Sequence, residues 1–217
     1  LKARWWTEYH DPNLDFFVSK AIANNRTLQQ TMANVERAAA ALTTARANLF
    51  PQLNYSGDLG KSKASLNTPT GAAMGDKPIK SYEVLATASW EIDLWGKIRR
   101  QTESAQASLR ATEAAHRAAI SSVIGSVIST YLSILMTEEQ YKIAEETAES
   151  YHKTYQLFLL RFNHGNVSEM EVAQAWSQWE SAMVQIPQIR QNRTELKNSL
   201  SILTGVPVED FPKPKAL

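Results

Sequence analysis

The chain has 217 residues, of which 43% are hydrophobic and 21% charged, and its net charge is +1. This composition excludes a disordered chain and fits one elongated or compact domain with a sizeable core. Lys and Arg are scattered rather than gathered into a stripe, so no nucleic-acid partner is expected, and with no cysteine there is no disulfide framework and no thiolate metal site.

The sequence starts at Leu1 without a start methionine or signal segment and reads as a mature or truncated piece. Trp5 and Trp6 precede Asp11-Pro12-Asn13, where Asp11 can cap free amides and Pro12 suits a first turn. A helix over 13–50 follows. Leu14, Val18, Ala21, Leu28, Met32, Val35, Ala39, Leu42 and Leu49 alternate by four and three, with Asn25 and Arg46 as the polar members of this seam. Pro51, which cannot supply a backbone donor, ends it.

After Pro51 the period changes to two. Leu53, Tyr55, Gly57 and Leu59 alternate with Gln52, Asn54, Ser56, Asp58 and Gly60. Further on, Tyr82, Val84, Ala86, Ala88, Trp90, Ile92 and Leu94 alternate with Glu83, Thr87, Ser89, Glu91 and Asp93, and only Leu85 departs from the pattern. These two runs predict a β-hairpin over 52–94 with a long loop, 61–80, rich in Ser, Thr, Gly, Pro and Lys. Each strand has one apolar and one polar face. A soluble two-stranded flap over a helical bundle would alternate in the same way. Strands of about 9 to 11 residues are also long enough to cross a bilayer at a tilt, and Tyr82, Trp90 and Trp95 lie near the ends, where aromatic girdles occur.

From Gly96 to His164 there is no proline and one internal glycine, Gly125, which predicts a helix over 96–164. At about 1.5 Å per residue it extends about 100 Å, and the helices over 13–50 and 168–204, each about 55 Å, match it end to end. Ala144, Ala148, Tyr151, Tyr155, Phe158 and Phe162 form one seam. Ala175, Trp179, Ala182, Ile186, Ile189, Arg193, Leu196, Leu200 and Leu203 form the other. Both read as packing surfaces rather than as a cofactor box. Pro187 should kink the last helix, and Gly205 with Pro207 beyond it should stop it. Ala118 to Thr137 carries no charge, but it holds five serines and two threonines and runs into charged helix on both sides. Burial between helices is expected there, not a membrane span. Between the two long helices, Gly165 can take the positive φ that ends one, and Ser168 with Glu171 forms a capping box for the next.

No catalytic chemistry is visible. His10, His116, His152 and His164 do not group at ligand spacing, and there is no Gly-rich phosphate loop or nucleophile elbow. Glu138-Glu139 and Glu145-Glu146 read as a solvated helix face. No enzymatic activity, cofactor or metal site is expected.

Motifs along the whole chain resemble the TolC-like outer membrane factor family of bacterial efflux channels. They are Trp5-Trp6 with Asp11-Pro12-Asn13-Leu14, Ala21-Ile22-Ala23-Asn24-Asn25, and Asn48-Leu49-Phe50-Pro51-Gln52-Leu53. Trp90-Glu91-Ile92-Asp93-Leu94-Trp95-Gly96-Lys97-Ile98-Arg99 follows, then Arg161-Phe162-Asn163-His164-Gly165-Asn166-Val167-Ser168 with Glu171-Val172. The match is to the N-terminal repeat of that family's resistance-nodulation-division or NodT-type branch, with 1–217 as one outer-membrane-efflux-protein repeat where the family's protomers have two. The resemblance implies a mainly α fold with a β-hairpin: long antiparallel coiled-coil-like helices plus two amphipathic strands, one half of an α-barrel/β-barrel protomer.

It further implies a bacterial outer-membrane location with a periplasmic helical extension and a passive duct for drugs, metals or other small solutes in a tripartite efflux system. The implied partners are a periplasmic adaptor (membrane fusion) protein, an inner-membrane transporter reached indirectly, outer-membrane lipid, and two further copies in a full-length homotrimer. In that setting Leu53, Tyr55, Leu59, Tyr82, Val84, Ala86, Ala88, Trp90 and Ile92 face lipid, and Asn54, Ser56, Asp58, Glu83, Thr87, Ser89 and Glu91 face the lumen. The adaptor contact implied by the family falls on Gly165, Asn166, Val167 and Ser168, with Asn166 standing where an apolar residue is common. The other reading of the same strands is a soluble helical scaffold or adaptor with a β-flap.

Overall fold

A computed structural model describes residues 5–63, 65, 67–74 and 78–212. After a short 3-10 helix, Trp5–Tyr9, come α1 (Pro12–Asn24), α2 (Arg26–Ala47), β1 (Gln52–Ser62), α3 (Pro69–Met74), β2 (Ile79–Ser89), α4 (Lys97–Asn163) and α5 (Glu169–Thr204). A 3-10 turn, Val208–Asp210, follows. The chain divides into two compact units, Leu1–Ala33 with Ala114–Leu217, and Asn34–Glu113.

The first unit is built on the apolar stretch of α4. Val123, Ile124, Val127, Ile128, Tyr131 and Ile134 are buried in one cluster with Leu14, Phe17, Val18 and Ala21 of α1, Leu28 of α2 and Leu200 of α5. A window of α4 is apolar enough to cross a membrane; within 118–137 the face that carries these side chains is covered by protein, as expected, while Ser122, Ser126, Ser129, Leu132 and Met136 on the opposite face are exposed. Ser121, Ser126, Ser133 and Thr137 return their hydroxyls to carbonyls one turn back, which satisfies them within the helix.

The helix expected over 13–50 is two helices. Asn25, only 5% exposed, leaves the helical conformation at φ −62°, ψ 124°. Its Oδ1 accepts from the Thr27 and Leu28 amides, at 2.9 and 3.2 Å, capping α2, and its Nδ2 donates to the Leu203 carbonyl at 2.9 Å. A buried amide with these partners avoids the desolvation cost of an orphaned one. Beyond the break Leu28, Val35, Leu42 and Leu49 lie inward as expected, while Thr31, Ala38 and Ala45 take the places expected for Met32, Ala39 and Arg46. Thr31, not Met32, turns inward, bonding His116 Nδ1 at 2.8 Å.

Asp11 Oδ1 caps α1 through the Asn13 amide at 2.8 Å, and Asp11 Oδ2 accepts from the Tyr131 hydroxyl at 2.6 Å. Burial, and then that carboxylate, push the Tyr131 phenol well above its ordinary value. Along α5 every expected seam position, from Ala175 to Leu203, is buried or half-buried, and the helix continues through Pro187. Arg193 sits in that seam because its guanidinium lies 4.8 Å from the centre of the Tyr141 ring.

In the second unit, β1 and β2 pair antiparallel, with Leu53 opposite Ala88, Tyr55 opposite Ala86, Gly57 opposite Val84, and Leu59 opposite Tyr82. The loop is shorter than the expected 61–80. β1 runs on to Ser62, β2 begins at Ile79, and α3 lies between them with Pro69 at its first position. The parts of that loop at 64, 66 and 75–77 lie outside the described residues. The second strand also ends earlier than expected, at Ser89. Pro51, next to Gln52, cannot donate to Trp90, so the ladder closes at Gln52 opposite Ser89. Trp90, Glu91 and Ile92, expected as strand positions, therefore lie beyond the sheet.

Candidate functional site

Two features of this architecture are candidates: the hairpin in one unit and the α4–α5 turn in the other. In the hairpin, alternation and register act together. Every apolar residue on one face meets an apolar or glycine partner, while Asn54 faces Thr87 and Asp58 faces Glu83 on the other. Leu85, opposite Ser56, and Ile79, opposite Ser62, are the exceptions. Both faces are open along both strands, with Tyr55 92% and Val84 88% exposed. A lone two-stranded hairpin of this kind is marginal in water, so its stability calls for cover from outside the described residues.

Its root is held to the helices by side chains. The Trp90 indole donates to the Leu49 carbonyl at 3.2 Å, and the Gln52 amide to the Ala47 carbonyl at 2.9 Å. Asp93 Oδ2 accepts from the Arg99 amide at 2.9 Å and from its guanidinium at 3.4 Å. Burial pushes the Asp93 carboxyl up, but the Arg99 and Ile98 amides and the Arg99 guanidinium together hold it below its ordinary value. Glu91 pairs with Lys97 at 2.9 Å on the surface. Thus the acidic residues after Ser89 anchor the start of α4.

At the turn, α4 ends in a Schellman motif. The Asn166 amide donates to the Arg161 carbonyl at 3.0 Å and the Gly165 amide to the Phe162 carbonyl at 2.8 Å. Gly165 has φ +74°, and a Cβ there would meet nothing within 4 Å. Glycine is required by backbone conformation, not by crowding. Ser168 then caps α5 reciprocally, since Glu171 Oε2 accepts from the Ser168 amide at 2.7 Å and Ser168 Oγ accepts from the Glu171 amide at 3.4 Å. The Ser168 amide, more than its hydroxyl, holds the Glu171 carboxyl below its ordinary value. Gly165, Asn166 and Ser168 are exposed and Val167 is half-buried, with Leu160 and Met170 open beside them. The result is a rigid turn with an accessible surface.

Among the described residues no group of His, Asp and Glu could hold a metal ion. Besides the Asn25–Leu203 and Thr31–His116 contacts, two polar pairs made by tyrosines of α4 have no counterpart in the sequence pattern. Tyr131–Asp11 joins residues far apart in the chain, and the Arg190 guanidinium donates to the Tyr141 hydroxyl at 3.1 Å. Neither pair has a spacing signal that would reveal it.

Residues 17–206 match the family described as outer membrane efflux protein. The chain is 30% identical over 211 residues to the pyoverdine export outer membrane protein OpmQ of Pseudomonas aeruginosa, covering 95% of this chain and 44% of that protein. It is 29% identical over 217 residues to the toluene efflux pump outer membrane protein TtgC of Pseudomonas putida, covering 98% and 44%. Among solved structures, the Campylobacter jejuni CmeC outer membrane channel superposes with a TM-score of 0.78 at 30% identity, over 92% of this chain and 42% of that one. The outer-membrane channel OprN gives 0.79 at 25%, over 97% and 46%. The chain spans less than half the length of each of these proteins.

Proposed function

Because the chain belongs to the outer membrane efflux protein family, we propose that it is one repeat of an outer-membrane channel protomer, a passive duct in a tripartite export system and not an enzyme. The observation that carries this reading is the hairpin, which is apolar on one face, polar on the other, and uncovered on both. Lipid does not tolerate an open sheet edge, so these strands must pair with others, and a homotrimer of the full-length protein would close the barrel. Leu53, Tyr55, Leu59, Tyr82, Val84, Ala86 and Ala88 then face outer-membrane lipid. Asn54, Ser56, Asp58, Glu83, Thr87 and Ser89 face a water-filled lumen. Trp90 and Ile92 lie at the inner rim of the apolar band, with Glu91 beside them, since all three follow the end of β2.

The duct passes drugs, metals or other small solutes. The turn at Gly165, Asn166, Val167 and Ser168 is the docking point for a periplasmic adaptor, through which the inner-membrane transporter is reached indirectly. Its fixed backbone and open surface suit a partner that recognises shape. The test is to reconstitute the full-length protein in planar bilayers and to express it in cells lacking their own channel. Conductance and restored export are the expected results. Absence of both, with the protein in the soluble fraction, would overturn the reading in favour of a soluble scaffold.

A further inference from the structure

We infer that Lys61 and Lys80 form a seat for the phosphate of an anionic lipid headgroup at the loop-side rim of the hairpin's apolar face. This rests on the membrane reading above. The register places Lys61 directly opposite Lys80, two residues beyond the Leu59–Tyr82 pair and so on the same face as the whole apolar band. Directly opposed residues have Cβ atoms about 4.5–5.5 Å apart, and like charges at that position destabilise the pair. Neither ammonium has a carboxylate partner among the described residues. The acidic pair nearest along the strands, Asp58 and Glu83, points to the other face. Two unneutralised cations held side by side are complementary to one anion bridging them.

The height of the pair identifies the source of that anion. Ten residues separate Lys80 from Trp90, about 33 Å along an extended strand. Tilted at about 40°, that rises about 25 Å, the height of the apolar band of an outer-membrane barrel. With the Trp90 indole at one edge of the band, the lysines reach the opposite edge. Their apolar stems lie along the band and their ammonium groups meet the headgroups. A neutral headgroup would leave the repulsion standing, whereas a phosphate removes it.

The full-length protein in detergent can be exposed to bisphosphorylated lipid A, to the same lipid dephosphorylated, or to phosphatidylcholine, with retained lipid counted by native mass spectrometry. K61Q/K80Q should weaken binding of the phosphorylated lipid about thirtyfold, since each lysine near an anionic surface contributes a factor of about five. K61R/K80R should retain it, and the other two lipids should not distinguish the proteins. Equal retention of phosphorylated lipid by wild type and K61Q/K80Q overturns the proposal. Displacement of that lipid by equimolar inorganic phosphate overturns its lipid source. Carbonate extraction separates the two levels. If the wild type leaves the membrane, the membrane reading fails. If it stays and lipid retention is unaltered in K61Q/K80Q, the lysine seat alone fails.

Discussion

The uncharged stretch of α4 and the apolar face of the hairpin are both continuous, yet they are treated in opposite ways. In α4, Val127 is wholly buried and Tyr131 nearly so, and α1 and α5 supply the cover. In the hairpin, Leu53, Tyr55, Leu59, Tyr82 and Val84 lie bare. Hydrophobicity alone would point to α4 instead, because among the described residues it is the helix long and apolar enough to span a membrane. Period decides instead. A helix with an apolar stripe finds partners within its own chain, whereas a two-faced hairpin with open edges needs partners outside it.

Substitutions at the two surfaces should therefore report in different assays. The largest effect is expected at Leu200, 1% exposed in the helical core. Leu200→Ala should cost about 2–5 kcal/mol, the usual range for truncating a buried leucine. A shift in the denaturant midpoint of the full-length protein checks it, and membrane insertion of the fraction that folds should be unaltered. In the hairpin, Ala86→Arg should cost about 2–4 kcal/mol of membrane stability, the midplane value for a lipid-facing charge. It should reduce trimer assembly, whereas Thr87→Arg, one residue away on the polar face, should not. Equal loss from both would contradict the face assignment.

The turn sharpens the comparison from the other end of α4. Gly165→Val should cost about 1–2 kcal/mol, because a branched residue is forced into the left-handed region. No clash adds to this, since the space around Gly165 is open. Adaptor-dependent export should fall while trimers still assemble; unchanged export would remove the docking role. The smallest effect concerns Glu171, whose carboxyl is held below its ordinary value of 4.5 by the Ser168 amide. Its stabilisation of the turn is fully present above that pH and is lost as pH falls through the lower, folded-state value. Amide exchange at Ser168–Val172, corrected for intrinsic rates, should accelerate under acid, and Glu171→Gln should abolish that dependence.

Much of this was legible in the sequence because periodicity records which face is covered. The α5 seam, the alternation of the strands and the Gly165–Ser168 turn follow from local spacing and backbone chemistry. What escaped depends on residues distant in the chain. Asn25 reads as a polar member of a seam until the Leu203 carbonyl is beside it, and only then does the helix break make sense. The early end of β2 depends on Pro51 lying opposite Trp90, which requires the register. Lys61 and Lys80 read as loop residues for the same reason, and become a pair only when the ladder extends to Ser62 and Ile79.

The central claim is that the hairpin's two faces meet two different solvents. These 217 residues contain no cysteine, so a single replacement gives the hairpin one thiol for spin labelling once any cysteine elsewhere in the full-length protein has been changed to serine. Val84→Cys, Ala86→Cys and Ala88→Cys can be compared with Glu83→Cys and Thr87→Cys in the full-length protein reconstituted in lipid. Accessibility to oxygen, which concentrates in lipid, should be high at 84, 86 and 88, and accessibility to a water-soluble nickel chelate should be high at 83 and 87. Loss of this two-residue alternation, or protection of every position from both reagents, would contradict the account.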